Sequence, residues 1–510
     1  MRWQARIGAA CATLLLVSTA EAQRTATPRL DRNFDAAIES VLKAWNVPGV
    51  GIAVVKGNEV VLLKGYGFKD LEQRLPVTGN TKFAIGSVTK SFTVTAMAAQ
   101  AGDGKLDWDA PVRRYLPEFT MYDAVATERM TPRDLVTHRS GLPRHDALWG
   151  VVGFGRQEML DRLRYLEPSH DFRSVWQYQN LMYMTAGLLS GKIENRSWED
   201  VVRARVFQPL AMNTADFSVT DMARSPDFSY GHARLPNDSV VRIPFKNIDA
   251  IGPAGNINAS AADMARYLIL HMNRGLLDGK QVIPAAQIRD MHIPHMVMPS
   301  SPNPGAGGAE VGFQQYGMGF MVGTYRGRKL VQHGGNIDGF SAQMSFLPDD
   351  SVGVIVLTNM NGTQTRDFIP FMVYDRMLGL SQIDWSGRYL EQAARARARA
   401  DSARGREVAS KVAGTRPSHS LADYAGTYSH PGYGSIRVAV DGDKLRFTYG
   451  IFEGVGLNHW HYDVFETEPA SPAIPRRMRV QFHMDPNGKI ANLTMPIEPA
   501  IKPVSYTKDK

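Results

Sequence analysis

One cysteine occurs in 510 residues, Cys11, and it sits in the first apolar stretch of the chain. Everything downstream therefore lacks a thiol nucleophile, a disulfide framework and a cysteine metal site. Core packing must hold the fold, which a chain of this length readily supplies. Long apolar runs are missing as well. Ile7 to Val17 is the early hydrophobic stretch, and it is shorter than the roughly 20 residues a membrane-spanning helix needs. Arg2 and Arg6 precede it, and the small-x-small Ala20-Glu21-Ala22 stands before Gln23. Residues 1–22 thus read as a secretory signal, with Cys11 too early in the run for lipid attachment. The expectation is an exported protein, periplasmic or secreted, with no stable membrane insertion after cleavage.

A basic face is also lacking. The formal net charge is +8, but residues 388–416 carry eight basic and three acidic side chains, a net +5. The rest is close to neutral once the leader arginines are set aside, and no basic stripe interleaves with aromatics. Nucleic acid is not an expected partner. His138, His145, His459 and His461 have no acidic or cysteine partners at ligand spacing, so no metal is expected. Neither a Gly-x-Ser-x-Gly elbow nor a Gly-rich phosphate loop occurs, which disfavours a doubly wound hydrolase and an NTPase. No cofactor is expected, and nothing in the sequence speaks to oligomeric state.

What is present is an ordered set of three short motifs: Ser87-Val88-Thr89-Lys90, then Tyr178-Gln179-Asn180, then His333-Gly334-Gly335. Each alone has an ordinary explanation, as a helix cap, a core aromatic or a strand end. On a helix, however, a three-residue spacing puts Ser87 and Lys90 on one face. A lysine held neutral there could take the serine's proton, which an unassisted hydroxyl needs in order to attack. The three motifs together describe a serine acyl-transfer enzyme.

Phe34, Ile38, Val41, Leu42 and Trp45 recur at helical spacing and predict an amphipathic first helix. Val50–Val55 and Val60–Leu63 flank Lys56-Gly57-Asn58-Glu59, a hairpin signal. A buried helix should run from Ser87 to about Ala101, stopped by Gly102-Asp103-Gly104. Helices are expected over 158–165, 182–193 and 261–272, and a mobile loop over 299–308. Strands are expected over 319–324, 329–332, 342–347 and 352–358, and a helix over 365–378. Strands at both ends around a helical middle indicate an antiparallel sheet with a helical cluster, an α/β sandwich over residues 30–380 with its cleft between the two parts. Residues 381–418, rich in Ala and Arg, form a linker, either an exposed helix or a flexible connector. Beyond it, 434–440, 444–449, 479–484 and 490–495 alternate like strands, with turns at Asp441-Gly442-Asp443 and Asp485-Pro486-Asn487-Gly488. Residues 419–510 should be a small all-β unit, a barrel.

From about residue 34 to 380 the chain resembles the serine β-lactamase and penicillin-binding protein superfamily, in its class C-like peptidase and esterase branch. The likeness extends to Phe83-Ala84-Ile85-Gly86, to Leu135 through Pro143, and to Pro253-Ala254-Gly255-Asn256. Tyr316-Gly317-Met318-Gly319 and Gly339-Phe340 fit as well. Tyr424-Ala425-Gly426-Thr427-Tyr428 opens a part that resembles the lipocalin-like domain appended to some members. The resemblance implies a β-lactamase/transpeptidase-type α/β sandwich followed by a lipocalin-like barrel.

It also implies roles. Ser87 is the nucleophile, with Lys90 and Tyr178 a coupled base pair whose resting protonation is open. Asn180 orients the lysine or binds a substrate amide. His333, standing where many relatives have lysine, supports Tyr178 by charge or by a hydrogen bond. Gly334 and Gly335 let the strand backbone lie close to an acyl group. The N–H groups of Ser87 and Asn336 form the oxyanion hole. Because His333 and Gly334 replace a lysine and a threonine, recognition of β-lactams and of C-terminal D-alanine should be weak. Hydrolysis of an amide in a short peptide, through an acyl-Ser87 intermediate, is the expected reaction. An ester hydrolase or a β-lactamase on the same fold, and a non-enzymatic sensor that acylates without turnover, are the alternatives.

Overall fold

Five apolar residues, Phe34, Ile38, Val41, Leu42 and Trp45, form the buried face of α1 (Phe34–Trp45), and Asn46 closes the helix in the left-handed region at φ 50°. The structure is a computed structural model and describes residues 30, 33–299, 305–469 and 477–510. The expected leader, Cys11 and part of the 299–308 segment lie outside the described residues. After α1 the predicted hairpin forms: β1 (Gly49–Lys56) pairs antiparallel with β2 (Glu59–Asp70), turning through Gly57 at φ 61°. A short β3 (Leu75–Pro76) follows on the edge.

Further along come β4 (Met296–Val297), β5 (Val311–Tyr316), β6 (Met321–Tyr325), β7 (Arg328–Ile337), β8 (Phe340–Leu347) and β9 (Val352–Thr358). They complete a nine-stranded sheet in the order β4-β5-β6-β7-β8-β9-β1-β2-β3. Val50 lies opposite Thr358 and Lys56 opposite Val352, so the two ends of the domain meet at the centre of the sheet. β8 and β9 are buried at every residue, and β1 at all but its last. Uninterrupted Val and Ile suit strands covered on both faces. On one face lie α1 and, from the end of the domain, α5 (Thr365–Met377). The other face carries the helical cluster.

That cluster is built around α2 (Thr89–Gly102), buried from Thr89 to Gln100. Phe92 stacks on Tyr267 of α4 (Ala261–Met272) at 3.7 Å. α3 (Asn180–Glu194) begins where Gln179 caps it, accepting from the Leu181 N–H. The sequence expectation over 158–165 corresponds to a helix over Arg156–Arg162 and a 3-10 turn over Leu163–Tyr165.

Within the Ala/Arg-rich region a single helix, α6 (Trp385–Ala409), buries only Trp385 and Tyr389. At 1.5 Å per residue it is about 37 Å long. Arg397 pairs with Asp238 of the α/β domain at 3.0 Å, and Glu407 with Arg479 of the barrel at 3.0 Å. α6 is therefore tied to the α/β domain at its middle and to the barrel near its C-terminal end.

The C-terminal part is a closed eight-stranded barrel in which each strand pairs with the next, from β10 (Gly426–His430) to β17 (Val504–Lys508). Tyr428 opposite Lys508 closes it. Four strands correspond to the alternating stretches of the sequence. The other four, 426–430, 452–461, 464–467 and 504–508, emerge only in the fold. Tyr424, Tyr428, Tyr449 and Tyr506 are all buried. Among the described residues no helix is long and apolar enough to cross a membrane.

Candidate active site

Gly86, at φ 51°, opens one 3-10 turn (Gly86–Val88) that runs straight into α2. Glycine is required there by conformation and by space, since an added Cβ would lie 2.7 Å from the Asn336 nitrogen. The turn leaves Ser87 half-buried at the cleft and places Lys90 one turn below it, fully buried. The Lys90 Nζ lies 2.7 Å from Asn180 Oδ1, 2.8 Å from the Ala254 carbonyl and 3.2 Å from Ser87 Oγ. The first two are oxygens that only accept. They take two N–H groups and leave the third position of the nitrogen facing the serine. Burial lowers the Lys90 pKa well below 10.5, with the Arg144 guanidinium adding to the shift and Asp146 opposing it. A neutral amine fits: two donors are satisfied and a lone pair points at the Ser87 hydroxyl.

Tyr178 immediately precedes the cap of α3. The turn over 138–143 holds the segment before that cap in place. Gln177 N donates to the His138 carbonyl at 2.8 Å, Gln179 N to His138 Nδ1 at 3.0 Å, and Gln179 Nε2 to the Pro143 carbonyl at 2.5 Å. The Lys90 Nζ is 4.7 Å from the centre of the Tyr178 ring, and the Arg144 Cζ is 5.0 Å from it on an independent approach. Burial pushes the phenol's pKa up, while its hydrogen bond with Ser87 and the Arg144 charge work the other way. The net shift is upward, so Tyr178 rests as a phenol. Of the two groups whose resting state the sequence left open, the lysine is the one whose shift favours the neutral, proton-accepting form.

His333 is buried, and its partners differ from expectation. Its Nδ1 lies 2.7 Å from the Gly334 carbonyl and therefore carries the proton. Its Nε2 then accepts from the Tyr316 hydroxyl at 3.0 Å. Burial lowers its pKa to about 3, so the ring is neutral. The ring centres of His333 and Tyr178 are 6.4 Å apart. His333 thus orders Tyr316, which in turn lies 3.3 Å from the Tyr183 hydroxyl. A direct hydrogen bond to Tyr178 is not its role here.

Gly335 permits a close approach of the chain to itself, where the expectation was an approach to an acyl group: a Cβ there would collide with the Ile85 carbonyl and lie 3.0 Å from the Ser87 nitrogen. The Ser87 and Asn336 nitrogens accordingly flank one gap between α2 and β7. The side chain of Asn336 is engaged elsewhere, its Oδ1 accepting from Ser341 Oγ and from Gly362 N, each at 2.8 Å. At Gly334 a Cβ would crowd Gln343 Oε1 and approach the Arg366 guanidinium. Asn180 faces two ways: Oδ1 to Lys90, and Nδ2 to Asp146 Oδ1 at 3.0 Å.

Several cleft residues were not anticipated. Arg144 and Asp146 follow directly on the Leu135–Pro143 stretch, bonded to each other at 2.6 Å. His138, within the Leu135–Pro143 stretch, packs on Tyr178 with ring centres 4.3 Å apart and holds Gln179. Arg366, from α5, donates to the Gly335 carbonyl. The cleft encloses about 1290 Å³ and is lined by Ser87, Tyr178, His333 and Arg366, with Tyr389 and Gln392 of α6 on its wall. A charged pair straight after a Ser-Gly-Leu-Pro turn was the one local sign available. Among the described residues no group of three or more His, Cys, Asp or Glu could hold a metal ion.

Known proteins resemble this chain in sequence and in fold. The Aspergillus violaceofuscus unguisins hydrolase ungD is 27% identical over 498 residues, covering 90% of this chain and 86% of that protein. The penicillin-binding protein homologue of Pyrococcus abyssi, an octamer, superposes with a TM-score of 0.59 at 22% identity, covering 93% of this chain and 99% of its own. The D-amino acid amidase of Ochrobactrum anthropi gives 0.56 at 20% identity over 72% of this chain and 100% of its own. Residues 410–507 match a domain of unknown function. Residues 34–375 match the Beta-lactamase family model, and the chain belongs to that family, as a serine hydrolase.

Proposed function

We propose that the enzyme hydrolyses an amide bond of a short peptide through an acyl-Ser87 intermediate. The observation that carries this reading is the partner set of Lys90: two carbonyl-type acceptors and, at 3.2 Å, the Ser87 oxygen. The neutral amine takes the Ser87 proton as Oγ attacks the carbonyl carbon. Negative charge developing on the carbonyl oxygen is met by the Ser87 and Asn336 N–H groups. Tyr178, resting as a phenol, hands its proton to the departing amine nitrogen and recovers one from Lys90. Water then attacks the acyl group by the reverse relay, releasing the acid and Ser87.

Two features support an extended peptide. β6 pairs with β7 only as far as Gln332, whereas β8 pairs with it as far as Ile337. The segment His333–Asn336 is therefore paired on the β8 side, and its other edge suits the backbone of an added strand. The cleft walls present amide side chains, Gln332, Gln343, Gln364 and Gln392, together with the Arg366 guanidinium. These suit a peptide backbone and a carboxylate better than a plain acyl chain. Arg366 supplies a cation on α5 where the His333 and Gly334 replacements removed one from β7. Of the relatives above, the amidase acts on an amide by name and ungD is named a hydrolase, in keeping with this reading.

The test is turnover of short peptides, p-nitrophenyl esters and nitrocefin by the wild type and by Ser87→Ala. Peptide hydrolysis that falls on the order of 10⁴-fold or more in the variant is the expected result. Turnover of esters alone would replace the peptide reading with an esterase. Rapid nitrocefin hydrolysis would point to β-lactams.

A further inference from the structure

We propose that the C-terminal barrel is a positioning element of the acyl-transfer site, acting through His145 on the loop that carries Arg144 and Asp146. The inference rests on the assignment of Lys90 as the base.

His145 is 1% exposed, and its backbone sits in the left-handed region at φ 48°, a conformation an ordinary residue adopts only when its surroundings impose it. Its surroundings come largely from the barrel. The ring Nε2 faces the Glu167 carbonyl at 3.0 Å, an oxygen that only accepts, so Nε2 carries the proton. Nδ1 then receives the Tyr433 hydroxyl at 2.5 Å. The backbone N–H of His145 donates to Glu498 Oε2 at 2.8 Å. Tyr433 lies in the turn between β10 and the next strand, and Glu498 follows the strand Ile490–Met495. Both are buried. Farther along the same loop, the Ile451 N–H of the barrel donates to the Val151 carbonyl at 3.0 Å.

The neighbours of His145 face the opposite way, Arg144 onto the cleft and Asp146 onto Asn180. Asp146 Oδ1 accepts from Asn180 Nδ2 at 3.0 Å and from Trp149 Nε1 at 2.8 Å, while Oδ2 accepts from Arg144 Nε. This carboxylate decides which way round the Asn180 amide lies. With Nδ2 drawn to Asp146, Oδ1 must face Lys90, where it accepts at 2.7 Å. A flipped amide would set two donors against each other at the lysine and turn the amine's lone pair away from Ser87. Tyr433 and Glu498 are thus positioning residues: they fix His145, His145 fixes Asp146, and Asp146 fixes the amide that aims the base.

The test uses the full chain with Tyr433→Phe, Glu498→Ala, their combination, and Glu498→Gln, whose amide oxygen still accepts from the His145 N–H. The readouts are kcat and KM for p-nitrophenyl acetate, the rate of Ser87 labelling by a fluorophosphonate, and thermal unfolding. A misaimed base should lower kcat and the labelling rate together, about tenfold in each single variant and up to about a hundredfold in the double, with KM within about threefold. Glu498→Gln should retain more activity than Glu498→Ala, a rescue that lost packing would not produce. Folded double-variant protein with wild-type kcat and labelling rate would overturn the proposal. So would equal losses in Glu498→Gln and Glu498→Ala. Tyr433→Phe is nearly isosteric and keeps the test open if Glu498→Ala does not fold. Ser87→Ala assayed in parallel separates the two readings: turnover surviving there removes the acyl-serine chemistry, whereas a dead Ser87→Ala beside fully active barrel variants removes only the barrel's role.

Discussion

Tyr178, Tyr183 and Tyr316 beside the cleft, and Tyr424, Tyr428, Tyr449 and Tyr506 inside the barrel, all have their pKa raised by burial. Tyr183 and Tyr316 have buried internal partners, as the barrel tyrosines do; Tyr178, bonded to Ser87, is the exception. In the barrel each hydroxyl finds an internal partner. Tyr506 donates to Tyr449 at 3.0 Å, Tyr449 to the Tyr433 carbonyl at 3.2 Å, Tyr428 to the Tyr424 carbonyl at 2.8 Å, and Tyr424 to Asp463. Those networks close on themselves, and a closed set of buried polar groups gives rigidity. Around Lys90 the set closes on two sides and opens on the third, toward a half-exposed serine. The lesson is that a buried polar cluster becomes reactive at the position where its partners run out.

The comparison can be broken most forcefully at Lys90 itself. Lys90→Ala should lower peptide and ester turnover by on the order of 10³-fold or more, with a cooperative unfolding transition retained in calorimetry. Wild-type rates would move the base elsewhere. Next in size is Tyr178→Phe. Its phenol is read as the donor to a departing amine, so amide turnover should fall by about 10²- to 10³-fold. p-Nitrophenyl ester turnover should fall far less, because nitrophenolate leaves without a proton. Equal losses on both substrates would assign Tyr178 to serine activation instead.

A smaller effect concerns pH. The Arg144 charge helps to hold the Lys90 pKa down, so removing it lets that pKa rise. In Arg144→Gln the acidic limb of kcat/KM should move to higher pH, and the rate at a fixed pH on that limb should drop. A limb that stays put, or moves to lower pH, would contradict the sign. Smallest, and on the barrel side, is Tyr428→Phe. Loss of one closed hydrogen bond should cost about 1 kcal/mol of stability, seen in denaturant unfolding, with kcat unchanged.

Much of this was legible in the residues. The apolar spacing of α1, the hairpin through Gly57 and the Ser87–Lys90 helix follow from local pattern, and local pattern decides them. The barrel was half legible. Lys444–Tyr449 alternates cleanly, whereas Phe452–His461 carries Gly454, Gly456 and two histidines that blur its period. Val504–Lys508 is a strand because β10 and the strand Ile490–Met495 flank it, which no short window can reveal. At the site, Ser87, Lys90, Tyr178, Asn180 and the 333–336 strand could be named because they stand in motifs. Arg144, Asp146 and Arg366 could not, since a single charge has no period and its meaning is set by what folds against it. The partner of His333 was misjudged for the same reason: Tyr316 comes from β5, and the register of strands decides which phenol the imidazole meets.

In the proposed mechanism Lys90 is unprotonated in the resting enzyme and takes the Ser87 proton. Single-turnover acylation of Ser87 by p-nitrophenyl acetate, followed from pH 5 to pH 10, about the range over which a depressed lysine titrates, tests it directly. The predicted result is a rate that rises with pH to a plateau, with a midpoint well below the ordinary lysine value, and loses that dependence in Lys90→Ala. The same curve in wild type and Lys90→Ala, or a rate still climbing at the ordinary lysine pKa, would contradict it.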